Sequence, residues 1–201
     1  YRCPFYGYCH QQVTEHPVSD LPRASGKFIE ELKGSGIEDI REIPADHAGL
    51  NAIQQRVRDC VVTDSTFVSQ EPQSRLREIT FPISFLDFET FNPALPVYVG
   101  TRPYQAVPFQ WSLHIKSSSG YMTHEEFLCE DDEDPRLALV VSLLEAIPTE
   151  GTIVAYSNYE QTVMKRLATE LPVFEGPLLA LCERIFDLLQ LVREEYYHPQ
   201  F

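Results

Sequence analysis

The stretch from Phe81 to Phe88 is apolar on both faces, with Ile83 and Phe85 on one side and Leu86 and Phe88 on the other. A strand of that kind needs cover on both sides, which predicts the central strand of an α/β sheet. Its end breaks the pattern. Asp87 and Glu89 stand two positions apart, so both carboxylates leave the same face while Phe88 points away.

The surrounding sequence supplies partners for that strand. Phe109 to Ile115 alternates, with Phe109, Trp111, Leu113 and Ile115 facing one way and Gln110, Ser112 and His114 the other. A third strand is expected near Tyr121 to Leu128. A helix follows from Pro135 to Ile147, packing Leu137, Val140, Val141 and Leu144. Thr152 to Tyr156 reads as a short strand and Asn158 to Leu171 as a helix. Leu178 to Tyr197 is too uniformly apolar for periodicity to separate strand from helix. Three strands, a helix, a strand and a helix fit a mixed α/β sheet of the ribonuclease H kind as readily as any other.

The first 64 residues read differently, as a cysteine-containing start and a small helical segment. Phe28 and Leu32 lie four apart before Gly34-Ser35-Gly36 breaks the helix. Ile37, Ile40 and Ile43 begin a second apolar stripe, and a third helix is expected from Ala48 to Val61. Residues 65–78 are polar and read as a linker, leaving 79–201 as the second domain.

Charge and cysteines set bounds on function. The 201 residues hold 16 basic and 30 acidic side chains, a net charge of -14, which argues against holding nucleic acid by surface charge alone. Residues 1–78 carry -3 and residues 79–201 carry -11, with seven acids between Glu125 and Asp134 in what reads as a solvated loop. No apolar run approaches the roughly 20 residues of a bilayer span. Five scattered cysteines do not make a disulfide scaffold and point to a reducing cytoplasm. A start at Tyr1 without Met and a stop at Phe201 read as a fragment whose second domain is incomplete at its C-terminus.

Two carboxylates on one strand face suit Mg2+ or Mn2+, and ion pairs about 4 Å apart serve phosphodiester cleavage. The alternative is a pair of solvated acids that merely ends the strand. Glu160 adds weight, because it lies three and four residues before Val163 and Met164 and so faces the sheet. A helix N-terminus favours an acid there too, without explaining its place on the apolar face.

These motifs, Phe-Leu-Asp87-Phe-Glu89-Thr90 and Tyr-Ser-Asn-Tyr-Glu160, resemble the DnaQ-like, or DEDD, 3′-5′ exonuclease superfamily. More closely, Pro103-Tyr104-Gln105, Pro108 to His114, Asp134-Pro135-Arg136, Asp187-Leu188-Leu189 and Tyr196-Tyr197-His198-Pro199 resemble a bacterial family in which such a domain follows a RecB- or Cas4-like nuclease. The resemblance implies a ribonuclease H-like fold that hydrolyses DNA or RNA from a 3′ end, in a longer protein with a covalently linked RecB-like domain upstream. Asp87, Glu89 and Glu160 would be catalytic and hold one or two Mg2+ or Mn2+ ions, Glu160 standing where most of the superfamily has Asp. Thr90, Asn158 and Gln110 would bind substrate.

The third motif of the superfamily, Tyr or His followed four residues later by Asp, is absent downstream of Glu160. Asp187 matches an acid that is not a ligand. This fragment is therefore expected to bind nucleic acid weakly and to cleave it weakly or not at all. The competing expectation is a catalytically degenerate fold serving as a nucleic-acid-binding or structural module. Cys3 and Cys9 resemble the last two ligands of an iron-sulfur staple whose other ligands would precede Tyr1; two free thiols are the alternative. Leu32 to Ile37 resembles a helix-hairpin-helix, whose Gly turn can offer N–H groups to a phosphate; a plain interhelical turn fits as well. His114 and His124 could serve a site or be partly buried polar residues.

Overall fold

The computed structural model describes residues 4, 5, 8, 14–70 and 72–200. Cys3 and Cys9 lie outside them. The chain divides into two compact units, Tyr1–Gln70 with Val192–Phe201, and Glu71–Leu191. The last ten residues, expected with the second segment, thus group with the first. Among the described residues no helix is long and apolar enough to cross a membrane.

In the first unit, helix α1 (Gly26–Gly34) starts where the Ser25 hydroxyl oxygen accepts from the Phe28 N–H at 3.2 Å. Leu32 packs with Val18, Leu21, Ile40, Ile43, Val57 and Val61 into a small core. The stripe from Ile37 to Ile43 is apolar as read, but it is not an α-helix. Ile40–Glu42 forms a single 3-10 turn, fixed by the Asp39 carboxylate, which accepts from the Arg41 N–H and guanidinium. At the Gly turn, the N–H groups of Ser35, Gly36 and Ile37 already donate to carbonyls of α1. None of the three is left for a phosphate, so this is a closed helix end. Helix α2 (Ala52–Thr63) starts four residues later than expected because Asn51 caps it reciprocally with Gln54. The stretch expected as linker contains strand β1 (Phe67–Val68) and helix α3 (Pro72–Leu76).

The second unit is a mixed α/β fold. Its strands are β2 (Ile83–Phe91), β3 (Val107–Lys116), β4 (Met122–Leu128), β5 (Thr152–Ala155) and β6 (Ile185–Asp187). They form one sheet in the order β4-β3-β2-β5-β6. β3 is antiparallel to β2 and β4; β5 is parallel to β2 and β6. Between them run helices α4 (Pro135–Ala146), α5 (Tyr159–Glu170) and α6 (Glu175–Glu183); α7 (Leu188–Glu195) and β7 (Tyr196–Tyr197) follow.

β2 is the central strand, as its sequence predicts. Leu86 and Phe88 are buried with Trp111, Leu113, Leu139, Leu143, Met164, Leu167 and Leu178, so α4, α5 and α6 cover one face. The other face departs from expectation. Phe85 is 39% exposed, and Asp87, Glu89 and His114 beside it are exposed too. An apolar residue on each side of a strand shows that both sides can be covered; it does not say that this stretch of chain supplies both covers.

The buried stripe of α4 also differs from the expected one. Arg136, Leu139, Val140 and Leu143 face inward, while Leu137 is 54% and Val141 37% exposed. So apolar a helix leaves its phase open, and Arg136 sets it. Its guanidinium donates to Asp134 at 2.6 Å, to Glu170 on α5 at 2.8 Å and to the Val99 carbonyl at 3.0 Å. Glu170 also accepts from the Gln105 side chain at 2.6 Å. One arginine therefore joins α4, α5 and the β2–β3 connection. Changing Arg136 to Met keeps the aliphatic stem but removes the donors to Asp134, Glu170 and the Val99 carbonyl, and should destabilise the second unit by about 2–4 kcal/mol in chemical denaturation. An unchanged midpoint would show that the network is ornamental.

Candidate active site

Asp87 and Glu89 leave β2 on the open face, opposite Ser112 and Gln110 of β3 in the register. Gln110 therefore shares the face and row of Glu89. Between Glu89 and Thr90 the register slips, so that Thr90 pairs with Pro108 and Phe109 has no partner. A bulge of this kind re-aims the side chains that follow it. Here the Thr90 hydroxyl meets the phenol of Tyr159, the first residue of α5, in a short hydrogen bond. The end of β2 is thereby tied to the start of the helix that carries Glu160.

That helix start is tightly made. β5 ends at Ala155, and Ser157 takes a φ of 151°, rare for a residue with a side chain. The Ser157 hydroxyl oxygen then accepts from the Tyr159 N–H at 3.1 Å. Asn158 is exposed, and its carbonyl accepts from the Thr162 N–H and hydroxyl. Asn158 thus stands where it could meet a substrate, with its own side chain capping nothing.

Glu160 lies one residue further and is only 5% exposed. Its Oε2 is buried without a hydrogen-bond partner. Burial pushes its carboxyl above the ordinary value; its own backbone N–H offsets part of the rise, and the charges of Asp87 and Asp187 add to it. Glu160 is therefore within electrostatic reach of both acids. Asp187 ends β6, and one of its oxygens accepts from the Gln190 N–H at 3.0 Å, capping α7. Among the described residues, no three His, Cys, Asp or Glu side chains converge closely enough to hold a metal ion as they stand.

Further along the open face, His114 and His124 stack with ring centroids 4.3 Å apart, and His124 Nε2 lies 3.1 Å from the Ser112 hydroxyl. A cavity of about 400 Å³ opens between Phe85, Asp87, Ser112, His114, Tyr156 and Leu188. The structure thus brings Asp87, Glu89, Thr90, Gln110, Asn158 and Glu160 to one end of β2 and its neighbours. Sequence reasoning missed the Tyr159 bond to Thr90 and the closeness of Asp187 to Glu160. An aromatic just before a predicted buried acid was the available sign of the first. The pairing of β6 beside β5 produces the second.

No curated protein and no solved structure matches the chain. The family model described as a domain of unknown function, DUF2779, matches residues 84–201, from the strand that carries Asp87 to the end, and the chain belongs to that family.

Proposed function

We propose that the second unit is a metal-dependent 3′-5′ exonuclease-like domain of ribonuclease H-like fold, acting on phosphodiester bonds of DNA or RNA. The observation that carries this reading is Glu160. A buried carboxylate oxygen without a hydrogen bond, pressed by two other acids, is costly unless a cation neutralises it. Three carboxylates are a hard-oxygen donor set suited to Mg2+ or Mn2+, so the residues present fit such an ion. When bound, it would supply Lewis acidity and a water acidified for attack on phosphorus. Asp87, Glu89 and Glu160 would hold it; Thr90, Asn158 and Gln110 border them and would position the strand end.

The strand order supports the same reading, with the first long strand central, antiparallel β3 on one side followed by β4, and β5 and β6 running parallel to it on the other. The free thiols of Cys60, Cys129 and Cys182 accord with a reducing cytoplasm. A second reading, a degenerate module that binds without cutting, is favoured by the lack of a converged metal trio among the described residues.

Calorimetric titration separates the two. Mn2+ should bind the wild-type chain, and Asp87→Ala and Glu89→Ala should each abolish that binding without lowering the melting temperature. Asp87→Ala should also remove whatever cleavage of a labelled oligonucleotide the chain performs. Absence of Mn2+ binding in the wild type would favour the module.

A further inference from the structure

β2 and β3 are joined by a long connection, from Asn92 to Ala106. Connections this long are uncommon in compact units unless they work or are disordered. This one is held at several points. Arg136 donates to the Val99 carbonyl, Gln105 to Glu170, and the Thr101 hydroxyl to the Tyr98 carbonyl. The Tyr98 ring meets Phe91 edge-on, with centroids 6.3 Å apart.

Just before β3, Arg102-Pro103-Tyr104-Gln105 makes a turn in which the Gln105 N–H donates to the Arg102 carbonyl at 3.1 Å. Pro stands at the second position, and the third, Tyr104, has a φ of 58°. Turns of this form reserve that third position for Gly or Asn, since a bulky side chain is strained there. Tyr104 is nevertheless pinned. Its N–H donates to the Pro93 carbonyl at 2.8 Å, and its carbonyl accepts from the Asn92 side chain at 3.3 Å. The strain is not repaid by burial, because Tyr104 is 70% exposed.

Arg102 is also exposed, and among the described residues it enters no ion pair. Among the other arginines of this unit, Arg136 and Arg166 face Glu170, Arg184 donates to the carbonyls of Glu150 and Gly151, and Arg75 lies over the Phe186 ring; Arg77 is exposed like Arg102. Pro93 and Asn92 directly follow β2, so this turn stands at the end of the strand that bears Asp87 and Glu89.

We propose that Arg102 and Tyr104 are a preformed grip for an unpaired nucleotide of the substrate strand, Arg102 on a phosphate and Tyr104 against the face of a base. The proposal rests on the nuclease reading above and names the substrate as a single strand, because the ring can stack only on a base free of its duplex. An exposed guanidinium and an exposed aromatic ring two positions apart in one turn suit a phosphate and a base together. The rigid tether removes the cost of ordering the loop on binding.

The test is fluorescence anisotropy of the full chain with labelled oligothymidylate, oligouridylate and a blunt duplex, in EDTA so that binding is read apart from hydrolysis. Wild type should bind at least one of the single strands more tightly than the duplex. Tyr104→Ala should weaken that binding about tenfold or more, and Tyr104→Phe should keep it. Arg102→Ala should reduce the slope of log affinity against log salt by about one. Tyr104→Gly should lose binding yet melt at a higher temperature than wild type, because the positive φ no longer costs anything. A merely structural tyrosine would give the opposite change in melting. Failure of wild type to bind either strand, or full binding by Tyr104→Ala, overturns the grip. A grip that passes every arm while the wild-type chain binds no Mn2+ overturns the nuclease reading alone.

Discussion

Gly151→Ala is expected to lower the melting temperature of the second unit by on the order of 10 °C, or to leave it unfolded. Gly151 has a φ of 86° and directly precedes β5, whose Thr152 pairs with Ile83 of β2. A Cβ at Gly151 would overlap the carbonyl oxygen of Pro82 and lie 2.8 Å from its nitrogen. Those neighbours are backbone and cannot rotate away. Relief would require β5 to move from β2, and Ile153, buried in the centre of the core, moves with β5. The left-handed conformation costs roughly 1–2 kcal/mol for a residue with a side chain, and overpacking adds roughly 1–3 kcal/mol. A loss of about 3–4 kcal/mol corresponds to the stated shift at this size. Thermal melting followed by circular dichroism decides it. A melting temperature within a degree or two of wild type would mean that the β2–β5 edge is far more compliant than its geometry implies.

Glu160→Gln should act in two directions at once. Without metal the variant should melt about 5 °C higher at neutral pH, because the amide can donate to Asp87 or Asp187 where the charge could only repel them. Relieving a buried charged group is worth on the order of 1–2 kcal/mol. The sign with pH follows from linkage. Glu160 has a folded-state pKa raised above its ordinary 4.5, so the folded wild type holds the proton more strongly than the unfolded chain. Its contribution is favourable at low pH and is lost as pH rises from about 4.5 through the raised value; the Gln variant lacks that slope. Mn2+ should reverse the order, stabilising wild type at neutral pH and leaving the variant unmoved. A variant that melts lower than wild type in EDTA would show that the Glu160 carboxylate is a satisfied part of the core.

Legibility in the sequence followed the range of the interactions. The spacing of Asp87 and Glu89 is a local property, and so is the position of Glu160 ahead of Val163 and Met164; both came through. β2 was recognisable as central, but its two apolar faces could not say which face this stretch of chain covers. The phase of α4 was misread because its deciding residue, Arg136, takes its partner Glu170 from 34 positions away. Gln105 and Glu170 are 65 apart, and Thr90 and Tyr159 are 69 apart. No periodicity encodes such pairs. The separate motifs Pro103-Tyr104-Gln105 and Asp134-Pro135-Arg136 were noticed as strings, and only the fold shows that they share one carboxylate. In the first unit, Ile37, Ile40 and Ile43 had the right spacing for a helix, and the capping chemistry of Asp39 confined it to a single 3-10 turn.

Phe67 and Val68 of β1 pair with Tyr197 and Tyr196 of β7 within the first unit. The polypeptide therefore leaves that unit after Gln70, completes the whole sheet of the second, and re-enters at Val192, partway along α7. In topological terms the second unit is an insertion with two attachment strings. A nick near residue 70 cuts the chain into two pieces, but the second keeps Tyr196 and Tyr197, whose pairing with Val68 and Phe67 can hold it to the first. Truncation before Val192 spares β2 and α5, which bear Asp87, Glu89 and Glu160, and removes the end of α7 with β7, a strand of the other unit.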